Sequence, residues 1–345
     1  MNIRNDLLIS VANTIKTYRK GEIPEPTPEH VDKWLNQFTP AYQLPFLKEV
    51  EHVLTERFFT KENIEQFLDE LVINEALAGK DPDSYWKTVN FLDIQKKGHS
   101  QTEMLKLFDE SLISQCGISC SDCGVDGGDF IYIDDVIFSG GRVITDVVDW
   151  IINDAPQKAR LHIIVAVMHT GGHWYCTQKI DAAINESRKE IKYLFWNALD
   201  VENRKYHKNS SSVLWPASLP NVPEVQAYVA SLTRFPFEAR EVMPGTTAAP
   251  FSSETGRQVL ENEFLIAGAK IKSQSVNSKE SIRPLGFSNF GLGFGSTIIT
   301  YRNCPNNCPL ALWWGDSSVT SGALSWYPLL PRETYSSARN IFRRV

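Results

Sequence analysis

Two adjacent aspartates, a hydroxyl and a pair of glycines stand together in Phe130-Ile131-Tyr132-Ile133-Asp134-Asp135-Val136-Ile137-Phe138-Ser139-Gly140-Gly141-Arg142. The apolar run Phe130–Ile133 before the acids reads as a strand, and Arg142 to Asn153 reads as a helix. A parallel strand delivers its last residues to the carboxyl edge of a sheet, where α/β proteins bind ligands. Carboxylates in that place accept hydrogen bonds from sugar hydroxyls and attract Mg²⁺. A Ser-Gly-Gly turn that opens a helix presents backbone N–H groups to a phosphate, and a Cβ on the glycines would block the anion's approach. Asp134 and Asp135 are therefore the candidate catalytic pair, with Ser139, Gly140, Gly141 and Arg142 as the phosphate cradle.

Two other stretches belong to the same expected edge. Lys96-Lys97-Gly98-His99-Ser100 follows a strand expected over Val89–Ile94. Lys96, Lys97 and Gly98 there are suited to a leaving pyrophosphate, although a solvated turn with two lysines explains the stretch equally well. His169-Thr170-Gly171-Gly172-His173 follows a strand ending at Met168. His169 is placed as a ligand contact, where an imidazole can orient a base or move a proton, and the two glycines predict a loop rather than a helix. Gly291-Leu292-Gly293-Phe294-Gly295 lacks the lysine of a phosphate loop and precedes a strand, so it reads as a turn with close backbone packing. Zinc needs four thiolate or imidazole ligands, whereas Cys116, Cys120 and Cys123 offer three and Cys304 and Cys308 two, so no metal site is assigned to them.

These residues need a scaffold that brings strand ends together. Leu161–Met168 is nearly all apolar, as a strand buried on both faces must be. Lys179–Glu190 reads as helix and Ile191–Trp196 as strand. Between Arg142 and Asn153, Val143, Ile144, Val147, Val148, Ile151 and Ile152 form one broad stripe. Strands alternating with helices predict an α/β fold, a mostly parallel sheet flanked by helices.

Residues 1–80 read instead as a helical N-terminal extension. Leu7, Leu8, Val11, Ala12 and Ile15 recur at helical spacing, interrupted by Asn5, Asp6, Asn13 and Lys16, unlike the apolar core of a signal peptide. Thr27-Pro28-Glu29-His30 looks like a cap leading into a face of Val31, Trp34, Leu35 and Phe38. Runs around Phe46–Leu54 and Ile64–Leu71 follow. The α/β domain is expected over 81–345, with a loop-rich insertion around 203–285. Inside that insertion Ser252-Ser253-Glu254-Thr255 caps a helix through Ala269. Ser296–Tyr301 is a late strand able to complete the same sheet.

The formal charge of −6 gives nucleic acid no general electrostatic foothold, and Arg339, Arg343 and Arg344 read as a frayed tail. No apolar run is long enough for a membrane span, and a cytoplasmic protein is expected.

The Asp134–Arg142 stretch resembles the PRPP-binding motif of the type I phosphoribosyltransferases: two hydrophobic residues, two acids, three variable positions, Thr or Ser, Gly, any residue, Thr. By that resemblance Asp134 and Asp135 hold the ribose hydroxyls and Ser139 to Arg142 the 5′-phosphate, with Mg²⁺ on the pyrophosphoryl group. Arg142 departs from the usual threonine, and Gly98 to Asp134 leaves a shortened interval for a catalytic loop. Further stretches are similar to phosphoribosyltransferase-like effectors of bacterial conflict systems, including retron-associated members. They are Phe251 to Arg257 with Leu260, Glu261, Phe264, Leu265 and Gly268, then Gly293 to Gly295, Asn303 to Pro309, Leu312-Trp313 and Pro328 to Arg332. The resemblance implies a PRPP-like nucleotide ligand, protein partners from the same defence operon, and either transfer or cleavage at a glycosidic carbon or a catalytically silent sensor.

Overall fold

The computed structural model describes residues 2–96, 98–233, 235–245, 247–275, 279–322 and 324–332. Lys97 and the tail arginines Arg339, Arg343 and Arg344 lie outside the described residues. The chain groups into two compact units, one made of residues 1–60 with 208–345 and the other of residues 61–207. Residues 61–80, read with the helical extension, thus belong to the unit that carries the sheet.

The chain begins with α1 (Ile3–Thr14), α2 (Pro28–Leu35), α3 (Gln43–Arg57) and the two-residue strand β1 (Phe58–Phe59). Thr27 caps α2 by accepting from the His30 N–H, with Pro28 at the first helical position. The second unit follows with α4 (Lys61–Val72), α5 (Glu75–Ala78), α6 (Pro82–Thr88), β2 (Asn90–Phe91) and α7 (Ser100–Cys116). It continues through β3 (Phe130–Ile137), α8 (Gly141–Asn153), β4 (Lys158–His169), α9 (Thr170–Ser187) and β5 (Glu190–Val201). The chain then returns to the first unit with α10 (Pro223–Ala230), α11 (Glu254–Ser273), β6 (Ile299–Thr300) and α12 (Leu310–Trp313).

In the second unit four strands form a fully parallel sheet in the order β2-β3-β4-β5, flanked by helices as expected. β4 is buried from Leu161 to Met168 and apolar there except for His162, which meets Asp129 and Trp196, and strands pair along both its edges. Val143, Val147, Trp150 and Ile151 of α8 pack with Ile163, Val165, Cys176 and Ile180 in one core. The buried stripe of α8 is rotated from the expected one: Asp146 and Trp150 lie inside, while Ile152 is exposed.

Several element boundaries differ from expectation. The strand at Val89–Ile94 shrinks to two residues. β3 runs past the aspartates to Ile137, because Asp134, Val136 and Ile137 all pair with β4. α9 begins at Thr170 despite its glycines. Asn203 Oδ1 accepts the Gly171 N–H at 2.8 Å, and Thr170 Oγ1 donates to Glu202, so the first turn is capped from outside. Gly172 has to be glycine there, since a Cβ would collide with the Phe138 carbonyl.

In the first unit Trp34, Phe38, Phe46, Phe264 and Trp326 make an aromatic core, and Trp34 Nε1 donates to the Ala311 carbonyl at 2.7 Å. Ser253 caps α11 through the Gly256 N–H. Arg240 bridges Glu254 and Glu261, and Arg257 also holds Glu261, with Arg240, Arg257 and Glu261 almost fully buried. The late strand forms β6 but pairs with β1 in a separate two-stranded sheet rather than joining the four-stranded one. Gly291, Gly293 and Gly295 all take positive φ, and a Cβ at Gly293 would sit 2.5 Å from the Leu285 carbonyl carbon, as a close-packed turn requires. Among the described residues no helix is long and apolar enough to cross a membrane.

Candidate functional site

β2 and β3 are parallel neighbours, so the segments that leave their carboxyl ends, residues 92–96 and 138–140, meet on one edge. Each opens a helix, α7 and α8; Gln95 Oε1 accepts the Gln101 N–H at 3.2 Å in the first turn of α7, whereas α8 has no side-chain cap. Uncapped N-terminal N–H groups favour anions. Arg142 joins the loops. Its Nη1 donates to Ser100 Oγ at 2.9 Å, and its guanidinium lies close enough to Gly98 that a Cβ there would stand 3.3 Å from Nη1.

Ser100 is the centre of this junction. Its oxygen accepts from Arg142 and from Gln95 Nε2, at 2.9 Å each, and it stands beside the Asp134 carboxyl, whose pKa it draws down. Asp134 is only 2 % exposed and also accepts the Asp135 N–H at 2.9 Å. Burial, and then the neighbouring Asp135 charge, push its carboxyl up to about 7, against the opposing pull of Ser100, the Asp135 N–H and Arg142. Asp135 is half-buried, and its Oδ1 accepts the Val136 N–H. Their unequal burial makes the pair one sequestered and one accessible carboxylate rather than two equal ones.

Asp146, one turn into α8, is a further buried acid. It accepts the Lys96 N–H at 3.2 Å and the Tyr132 hydroxyl at 3.2 Å, and burial raises its pKa. Lys96 Nζ pairs with Asp149 at 2.7 Å, so this side chain ties its loop to α8 instead of reaching for a ligand. Gln101 Oε1 accepts the Ile94 and Gln95 N–H groups and shapes the turn between β2 and α7. Its Nε2 is buried with no hydrogen-bond partner.

The two glycines have different reasons. Gly140 has φ of 79°, and a Cβ would lie 2.6 Å from Cys176 Sγ and 2.9 Å from the Gly172 carbonyl oxygen. Packing against α9 therefore demands it, not the approach of an anion. Gly141 is exposed, with only Ser139 Oγ within 4 Å of its would-be Cβ, and Ser139 and Arg142 are exposed beside it. His169 stands apart from this surface. It is fully buried, Nδ1 donates to the Ile137 carbonyl at 2.9 Å, and the ring packs on Phe138 at 5.0 Å.

The structure thus brings together Asp134, Asp135, Gly98, Gly141, Arg142 and the backbone of Lys96, and leaves His169 in the core. Ser100, Gln101, Tyr132 and Asp146 complete the site without having been singled out in the sequence. The one signal available was Asp146 on the stripe that also carries Val143, Val147 and Trp150.

No curated protein and no solved structure matches the chain. The model of the PRTase-CE family matches residues 31–332, which spans both units. With a parallel sheet in which β3 carries an acid pair and leads into an open glycine turn, this chain belongs to the PRTase-CE family, a phosphoribosyltransferase-like family.

Proposed function

We propose that the edge between β2 and β3 binds PRPP or a related ribose-phosphate nucleotide and supports transfer or cleavage at its glycosidic carbon. The observation that carries this reading is the Arg142–Ser100 junction. It sets a guanidinium between the first turn of α7 and the uncapped N-terminus of α8, a charge arrangement suited to a phosphorylated sugar. Gly141 and Ser139 are open to a 5′-phosphate, and Asp135 is the carboxylate accessible to a ribose hydroxyl. An oxocarbenium-like transition state would gain from the negative field of the acid pair.

The carboxylate oxygens are hard donors of the kind Mg²⁺ takes. Among the described residues no group of three or more His, Cys, Asp or Glu side chains is arranged to hold a metal, so the chain supplies few ligands and phosphate oxygens and water the rest. That fits Mg²⁺, which keeps several waters and is bound through one or two carboxylates plus substrate phosphates. Asp135 would hold it, and the ion would neutralise charge on the departing pyrophosphate. Asp134, engaged by Ser100, orients the strand end instead.

A sensor without turnover is the second reading, favoured by the sequestered Asp134 and by the stretch after α7. There Cys120–Asp122 forms a single 3₁₀ turn where a catalytic loop would be expected. Either activity suits a cytoplasmic anti-phage effector acting with protein partners of its operon, including a retron.

Isothermal titration of PRPP with Mg²⁺ against the wild type and Asp134→Asn/Asp135→Asn tests the site. Binding by the wild type and its loss in a folded variant is expected; a folded wild type that binds no PRPP removes this ligand. Pyrophosphate release then separates enzyme from sensor.

A further inference from the structure

The edge between β2 and β3 belongs to the unit of residues 61–207, and the other unit holds a cavity of its own. α10 packs against α11, and between them and residues 280–283 a cavity of about 520 Å³ opens. Small-ligand pockets run from about 300 to 1,000 Å³. Val225 of α10 is fully buried in the same core as Leu265 and Ile271 of α11, so the two walls are anchored to each other.

Two cations line this cavity, Arg283 and Lys272. Arg283 is only 3 % exposed, and backbone carbonyls hold its guanidinium. Nε donates to Ser288 at 2.9 Å, Nη1 to Gly291 at 2.6 Å and Nη2 to Asn289 at 3.1 Å. Carbonyls fix the group without cancelling its charge. The carboxylate nearest to cancelling it, Glu280, stands at 3.6 Å with its side chain turned to solvent. Lys272 Nζ donates to the Lys279 carbonyl at 2.9 Å. Burial, and then the Arg283 charge, lower the Lys272 pKa against the weaker pull of Glu280. Arg283 also outweighs Glu280 at Tyr228, whose hydroxyl burial pushes up to about 12, so it stays protonated and a donor at neutral pH. The field at this end of the cavity is positive.

We infer that this cavity binds a nucleoside monophosphate, with its phosphate held by Arg283, Lys272 and the Tyr228 hydroxyl. A phosphomonoester carries about two negative charges at neutral pH and matches both cations, whereas a carboxylate leaves one of them unmatched. A bare phosphate fills only a fraction of the volume. Ala227, Leu232 and Ala269 make part of the remaining wall apolar, and the Tyr228 ring is a surface on which a base can stack. Glu224 and Glu280, also on the wall, are acceptors for ribose hydroxyls. None of these residues belongs to the edge between β2 and β3, so the two sites can be silenced one at a time.

Titration calorimetry of AMP, UMP and inorganic phosphate tests this, against the full chain carrying Asp135→Asn and Arg142→Ala, which silence the strand edge. Both nucleotides are expected to bind, and phosphate about tenfold more weakly for want of the stacked base. Adding Lys272→Gln should weaken the nucleotides about tenfold, the scale of a lost charge-assisted hydrogen bond, and Tyr228→Phe, which keeps the ring, by about threefold. Circular dichroism confirms that each variant is folded. A chain that binds neither nucleotide overturns the inference. So do nucleotide affinities indifferent to Lys272→Gln, or phosphate binding as tightly as AMP. PRPP binding by the wild type is measured separately and stands or falls on the strand edge alone.

Discussion

Arg142 Nη1 donates to Ser100 Oγ over 2.9 Å, and this bond fastens the first turn of α8 to the first turn of α7. Ser100 in turn touches Asp134, so guanidinium, hydroxyl and buried carboxyl form one chain of contacts. An anion entering the site competes with Ser100 for the guanidinium.

Replacing Arg142 by alanine removes an exposed side chain, so the melting temperature should hardly move. PRPP affinity should fall about tenfold or more, the scale of a charge-assisted hydrogen bond, and Arg142→Lys should recover only part of it. Titration calorimetry of the three proteins decides, and equal affinities would remove Arg142 from the site.

Asp134 makes stability depend on pH in a definite direction. Its carboxyl titrates near 3.8 when free and at about 7 when folded, so the folded chain binds the extra proton between those values. Its contribution is fully present below about pH 4 and is lost as pH rises through about 7. Asp134→Asn abolishes that loss. Melts of wild type and variant from acid to mildly alkaline pH should diverge in favour of the variant, by on the order of a few kcal/mol. Parallel curves would show that Asp134 titrates alike in the folded and unfolded chain.

Gly140→Ala and Gly141→Ala separate packing from ligand approach. The first drives a methyl against Cys176 in a left-handed backbone and should cost about 2–4 kcal/mol in urea unfolding. The second has room and should leave stability within about 0.5 kcal/mol while weakening PRPP binding. The opposite pattern would place the phosphate elsewhere.

His169→Ala should behave as a core substitution. It leaves the Ile137 carbonyl without its donor and opens a cavity, at a cost of about 2–4 kcal/mol. PRPP affinity of the folded fraction should match the wild type. A selective loss of affinity would return the imidazole to the site.

Arg240→Met strands Glu254 and Glu261, the latter almost fully buried. Unfolding free energy should drop by about 3–5 kcal/mol, the usual outcome when one member of a buried ion network is removed. A neutral result would mean that Arg257 alone satisfies Glu261.

The parts of this architecture legible in the sequence are those written in local periodicity. The apolar run of β4, the caps at Thr27 and Ser253 and the glycine turn before α8 each announce themselves within a few residues. What escaped depends on partners distant in the chain. α9 begins at two glycines because Asn203 caps it from beyond β5. β3 continues through two acids because Ser100 and backbone N–H groups receive their charge. β6 pairs with β1 across some two hundred and forty intervening positions, which no local pattern reports. In the site, the acid pair and the turn were visible as types, but their division into a buried and an accessible carboxylate was not. That division is set by what packs around β3, with Asp134 buried and Asp135 half-buried.

The unit made of residues 1–60 and 208–345 is interrupted in the chain, and this has a consequence during synthesis. Trp34 must wait for Ala311, 277 residues later, before its indole finds its acceptor. At ribosomal rates of about 5–20 residues per second that delay is roughly 15 to 55 seconds. The sheet-bearing segment leaves the ribosome whole in that time, while the first three helices stand with their aromatic faces uncovered. The nascent chain therefore matures from its middle outward, and its opening helices are the stretch most in need of a chaperone.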